Sequence, residues 1–147
     1  LIVGLTYYFG KYRDGTPVGV DCEQALLWLR KAAEGGDSYA PWHLGGMYRE
    51  GKCVEFNDKE AARWFLEAAK SGNVKARTNI AFCYYEGTGV EKDFDKAYAW
   101  ASLAAYRGNA NAKALVGKLI PELEDRKRAD SLAVEYFKKY GATDPYE

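Results

Sequence analysis

An internal period of 36 residues constrains this chain more than any other feature. Trp28, Trp64 and Trp100 stand 36 residues apart, and Ala32-Ala33, Ala68-Ala69 and Ala104-Ala105 keep the same interval, as do Gly36, Gly72 and Gly108. The same shift superposes Tyr12, Tyr48 and Tyr84, then Gly15, Gly51 and Gly87, and then Val18, Val54 and Val90. Self-similarity at a period of roughly 20 to 50 residues marks a stack of supersecondary units, each burying its apolar face only against its neighbours.

Each unit reads as two helices. In Ser38 to Glu50, the residues Ala40, Leu44, Met47 and Tyr48 fall at helical spacing, and Gly51 follows where a left-handed closing residue is expected. Asp21, Asn57 and Asp93 open the second helices as N-caps, with Gln24 and Glu60 three positions on as capping-box partners. The stripe Ala25, Trp28, Ala32 and its two register mates predict equivalent, buried tryptophans. These helices end at Gly36, Gly72 and Gly108, after which Asp37, Asn73 and Asn109 cap the next first helix. Repeated small residues on the buried stripe imply close helix approach.

The period then breaks. Pro121 stands where a closing Tyr-x-x-Gly belongs, and a long amphipathic segment follows with Ala129, Leu132, Ala133, Tyr136, Phe137 and Tyr140 on one face. A stacked array needs an atypical terminal unit with a polar outer face, so 122–140 is expected to be a capping helix. Units are expected at 1–37, 38–73 and 74–109, with a partial unit and cap at 110–140, one domain in all, and a flexible tail at 141–147. Leu1, Ile2 and Val3 sit inside an expected first helix, so further repeats or a leader are expected to have preceded them.

The units have 36 residues and a Gly-x-x-Val-x-x-Asp/Asn connection, against about 34 and a shorter turn in tetratricopeptide units. The pattern Ala40-x-x-x-Leu44-Gly45-x-x-Tyr48-x-x-Gly51, then Asn57-x-x-x-Ala61-x-x-Trp64-x-x-x-Ala68-Ala69-x-x-Gly72, resembles the Sel1-like repeat family, and its bacterial members most. The resemblance covers roughly residues 1 to 120. Unit one departs from it at Gly4, Tyr8 and Phe9, as an end unit would. The fold it implies is an all-α, right-handed α/α superhelical solenoid of about three repeats with a C-terminal capping helix. The function it implies is a protein-interaction adaptor.

Composition excludes several other functions. Lys and Arg number 21 and so do Asp and Glu, so there is no basic excess to attract nucleic acid or an anionic membrane surface. At 48% hydrophobic and 15% aromatic residues the chain is too apolar for disorder, yet its apolar runs are too short for membrane insertion. One histidine, His43, and three cysteines leave little for a metal site, so no metal and no cofactor are expected. An odd cysteine count precludes a fully paired framework. Cys83 falls at the position of Met47 and reads as a core residue, while Cys22 and Cys53 read as inert thiols, Cys53 exposed in its loop.

No catalytic constellation emerges. Glu122, Glu124 and Asp125 lie at a helix start, where acidic side chains favour the dipole. His43 has no second histidine and no serine motif nearby, and reads as a surface or groove contact. Gly87-Thr-Gly lacks the Lys-Ser/Thr of a phosphate loop. Some cysteine-rich members of the resembled family carry closely spaced Cys pairs and have been linked to penicillin binding; this chain lacks such pairs and any Ser-x-x-Lys run. A non-enzyme is expected. The alternatives are a cell-envelope enzyme acting on peptidoglycan or β-lactams, an immunity protein neutralising a secreted toxin, or a structural spacer. A periplasmic or secreted location is favoured, weakly.

In the related tetratricopeptide fold, first helices line the concave face. Transferred by position, that frame puts Val3, Thr6 and Arg13, then Tyr39, Trp42 and Arg49, then Lys75, Thr78, Phe82 and Tyr85, and finally Asn111 and Lys118 on the groove. Trp42 is the one tryptophan outside the register, and aromatic and Arg side chains are the usual interface anchors. Tyr39, Trp42, Arg49, Lys75, Phe82, Tyr85 and Arg13 are therefore the candidate partner-binding residues, for a protein or peptide. The plainer reading has Trp42 packing between adjacent first helices.

Overall fold

The computed structural model describes residues 21–141, together with the backbone of Tyr12–Arg13 and Thr16–Pro17. Among the described residues seven helices follow one another: α1 (Cys22–Glu34), α2 (Tyr39–Glu50), α3 (Asp58–Lys70), α4 (Val74–Glu86), α5 (Phe94–Tyr106), α6 (Ala110–Leu119) and α7 (Arg126–Tyr140). A single 3-10 turn, Ile120–Glu122, separates α6 from α7 at Pro121.

The local signals place these boundaries. Side chains of Asp21, Asn57 and Asp93 accept the backbone N–H three residues on at 3.0, 3.1 and 3.0 Å, and so define the starts of α1, α3 and α5. Asn73 and Asn109 do the same for α4 and α6, and Asp37 accepts from Tyr39 and Ala40 at the start of α2. The capping box is one-sided, because the Glu60 carboxylate turns to Arg63 at 2.9 Å. Gly51 and Gly87 close the first helices at φ 68° and 74°.

Successive helices pack as an α/α solenoid: α2 lies on α3, α4 on α5, and each pair leans on the next. Gly45 permits a close approach of α2 to α3, since a Cβ there would press into the Phe65 ring of α3. Burial grows along the stack. The 13-residue second helices α1, α3 and α5 bury two, five and seven residues. The cause is coverage, because among the described elements α1 meets α2, α3 meets α2 and α4, and α5 meets α4, α6 and α7. Two separate cores result. A small one holds Ala25, Leu29, Ala40, Leu44 and Met47. A large one runs from Ala61 in α3 to Ala129 in α7.

The expected cap is present, but it lies along α5 rather than back on α6. Tyr98 donates to Asp130 at 2.6 Å, Arg128 pairs with Asp95 at 2.6 Å, and the Trp100 ring lies 5.0 Å from both Tyr136 and Tyr140. Phe137, expected on the buried face, is 39% exposed. Arg77 of α4 is buried where two helix ends converge, donating to the Ala69 carbonyl at 3.1 Å and the Tyr140 carbonyl at 2.7 Å. Those carbonyls are the negative ends of α3 and α7, which suit a cation.

Three expectations are corrected. Trp28, Trp64 and Trp100 are not equivalent: Trp100 is 1% exposed and Trp28 38%, because only Trp100 is covered by α7. The end of the first helix of unit one is instead a short hairpin, Tyr12 and Arg13 pairing antiparallel with Pro17 and Thr16. Finally, Cys22 and Cys53 are bonded to each other, with Cα atoms 5.0 Å apart. They lie 31 residues apart in sequence, and stacking the unit-two loop on the start of α1 brings them together. The rest of the expected first helix, residues 1–11, and the tail from 142 onward lie outside the described residues.

Candidate functional site

The first helices α2 and α4 meet along a seam in which residues three and four apart face the neighbouring helix. Trp42 sits there half-buried, its indole Nε1 donating to Asn79 Oδ1 at 3.0 Å, so the plainer packing role is part of its function. Lys75 Nζ lies 5.2 Å from the centre of the Trp42 ring, and the His43 ring 4.8 Å from it. Two turns further along α2, the Arg49 guanidinium rests 5.5 Å from the centre of the Phe65 ring. Between these two aromatic and cationic pairs opens a cleft of about 270 Å³, lined by Trp42, His43, Gly46, Arg49, Glu50, Lys52, Phe65 and Asn79.

Nothing lies within 4 Å of where a Cβ on Gly46 would stand, so this glycine leaves the floor open. Burial, then the nearby Lys75 charge, lowers the His43 pKa against the opposing pull of Asp37, so the imidazole is held toward its neutral form. The cleft thus offers an aromatic face, a neutral imidazole and the cations Arg49, Lys52 and Lys75 around it. That chemistry suits a segment carrying a carboxylate beside an apolar or aromatic side chain.

Among the expected site residues, Trp42, Arg49 and Lys75 come together here. Tyr39, at 54% exposed, does not line the cleft. Phe82 and Tyr85 pack against the large core, Tyr85 with its ring 5.8 Å from Phe94. Arg13 lies in the hairpin, and its side chain is outside the described residues. Thr78 is buried and donates to the Val74 carbonyl, whereas Asn111 and Lys118 are exposed on α6. Phe65, Lys52, Glu50, Gly46 and Asn79 had not been singled out. Asn79 is the register mate of His43, 36 residues on, and that relation was the available signal.

Cys83 is half-buried against the large core, where burial pushes its thiol up to about 11. No group of three or more His, Cys, Asp or Glu among the described residues is arranged to hold a metal ion. No helix among them is long and apolar enough to cross a membrane.

The chain is similar in structure to a protective antigen of uropathogenic Escherichia coli, c5321, which displays an SLR fold. The match has TM-score 0.79 at 28% identity and covers 95% of this chain but 29% of that one. It is similar also to a Sel1 repeat protein of Oxalobacter formigenes, with TM-score 0.71 at 33% identity over 80% of this chain and 84% of that one. Helicobacter pylori cysteine rich protein B shares the fold, with TM-score 0.62 at 23% identity over 65% and 72% of the two chains. No curated protein matches the chain in sequence. The Sel1 repeat model matches residues 3–37, 38–73 and 74–109, the units that the 36-residue period marks out. With most of its length so matched, the chain belongs to the Sel1 repeat family.

Proposed function

We propose that the protein is a non-catalytic scaffold that binds a protein or an extended peptide along the concave face of its first helices, anchored at the Trp42 cleft. Sel1-repeat proteins serve in general as protein-interaction scaffolds. The observation that carries the reading to this face is the cleft itself, which sets Trp42, Arg49 and Lys52 beside the edge of the core residue Phe65, with Lys75 over the Trp42 ring. An acidic segment with an aromatic or apolar residue fits these groups, the cations meeting carboxylates and Trp42 supplying most of the apolar contact.

The test begins with selection of peptides from a random displayed library against the immobilised protein, followed by calorimetric titration of the enriched sequences. Enriched peptides should carry Asp or Glu beside an aromatic or apolar residue. Trp42→Ala should weaken binding by about 2 kcal/mol or more, the scale of an interface hot spot. Arg63→Ala, on the exposed side of α3, should leave it unchanged. Undiminished binding by folded Trp42→Ala would move recognition to another surface.

A further inference from the structure

We propose that the Cys22–Cys53 disulfide is a redox-sensitive latch: a dithiol reductant releases α1 from the stack while α3 to α7 remain folded.

The argument starts from the matching contact one unit on. Cys22 and Cys53 are 31 residues apart, and so are their register mates Asp58 and Gly89. Gly89, at φ 74°, lets the unit-three loop come down on the start of α3, where a Cβ would run into the Asp58 carbonyl. The unit-two loop has Cys53 at that place, at φ 66°, a left-handed conformation that side chains disfavour. Close contact between loop and helix that unit three obtains with a glycine is here made by a covalent bond.

Among the described residues, little else holds α1. It buries only Ala25 and Leu29 of its 13 residues, and Leu27 and Trp28 stand 45% and 38% exposed. Its core cluster is separate from the large one, so undocking α1 opens the small cluster, with the edge of Trp64 that packs on it, and leaves the large core closed. The released state bares Leu44 and Met47 on α2, making an apolar surface that exists only under reducing conditions.

The chemistry balances. A thiolate of the dithiol attacks one sulfur, the Cys22–Cys53 bond breaks, and the second thiol closes on the mixed disulfide. The two cysteines gain two electrons and two protons, and the dithiol leaves as its cyclic disulfide. Oxidised glutathione reverses the step. Cys83 takes no part, since burial keeps its thiol protonated.

Hydrogen exchange read by mass spectrometry on the intact chain, oxidised and after dithiothreitol, tests the latch. Exchange across residues 22–34 and 51–57 should rise about tenfold or more on reduction, with 74–106 unchanged and protection regained on reoxidation. Alkylation of the reduced native protein should add two groups, leaving Cys83 free of label. Cys22→Ser with Cys53→Ser should match reduced wild type with or without reductant. Protection of α1 in that variant equal to oxidised wild type would overturn the proposal. So would a rise spread over 74–106, or a third alkyl group, either of which would mean general unfolding rather than local release.

Discussion

Three tryptophans at one position of the repeat have three different environments. Trp100 is sandwiched with Tyr136 and Tyr140, whereas Trp28, among the described residues, has Lys31 over its face and is 38% exposed. Trp64 lies between these extremes: it packs on the small core under Arg63, but its buried indole N–H has no acceptor. Trp100→Ala should accordingly cost about 3 to 5 kcal/mol, as aromatic core truncations do, and Trp28→Ala under about 1 kcal/mol, as surface changes do. Urea titrations of the two variants measure the difference; equal losses would mean that register position, not coverage, sets the value of the residue. The sequence identifies all three positions as one class, because periodicity reports what a helix presents and not what finally covers it.

At the scale of elements, α7 shows how a helix that breaks the period is held. Its N-terminal half is fixed by polar contacts, Tyr98 with Asp130 and Asp95 with Arg128, and its C-terminal end by the Arg77 guanidinium and the tyrosine pair on Trp100. Burial pushes the Tyr136 phenol up to about 12, with the Tyr84 and Tyr140 hydroxyls next in effect. A raised pKa means that the folded state retains the proton. The stabilisation is therefore complete below the ordinary value of 10.0 and is lost as pH rises from there through about 12. Phenolate absorbance should show Tyr136 ionising late, together with the change in Trp100 fluorescence that marks α7 leaving α5. Tyr136→Phe should move that fluorescence change to higher pH. The amphipathic pattern announced this helix and most of its buried face. That it lies on α5, with its carbonyl end on Arg77, depends on contacts 63 residues apart in sequence.

For the whole molecule, the stack is graded: two buried residues in α1, five in α3, seven in α5. A chain ended after Leu123 removes the cover from Trp100 and Tyr98 and reverses the gradient at its C-terminal end. It should oligomerise in light-scattering measurements, since an uncovered repeat end leaves a contiguous apolar patch; an unchanged monomer with the wild-type melting temperature would show that α7 is not a cap. What the sequence determined by itself was everything carried by short-range interactions: the 36-residue unit, two helices in each of units two and three, and boundaries set by Asp and Asn side chains that reach a backbone N–H three residues away. What the tertiary structure alone decided were the pairings between units. Stacking joined Cys22 to Cys53 despite the absence of any closely spaced cysteine pair, buried Arg77 between two helix ends, and gathered Trp42, Phe65 and Asn79 from three helices into one cleft. Such pairings depend on the offset and angle at which one unit meets the next. Many side chains set that offset jointly, and no local pattern encodes it.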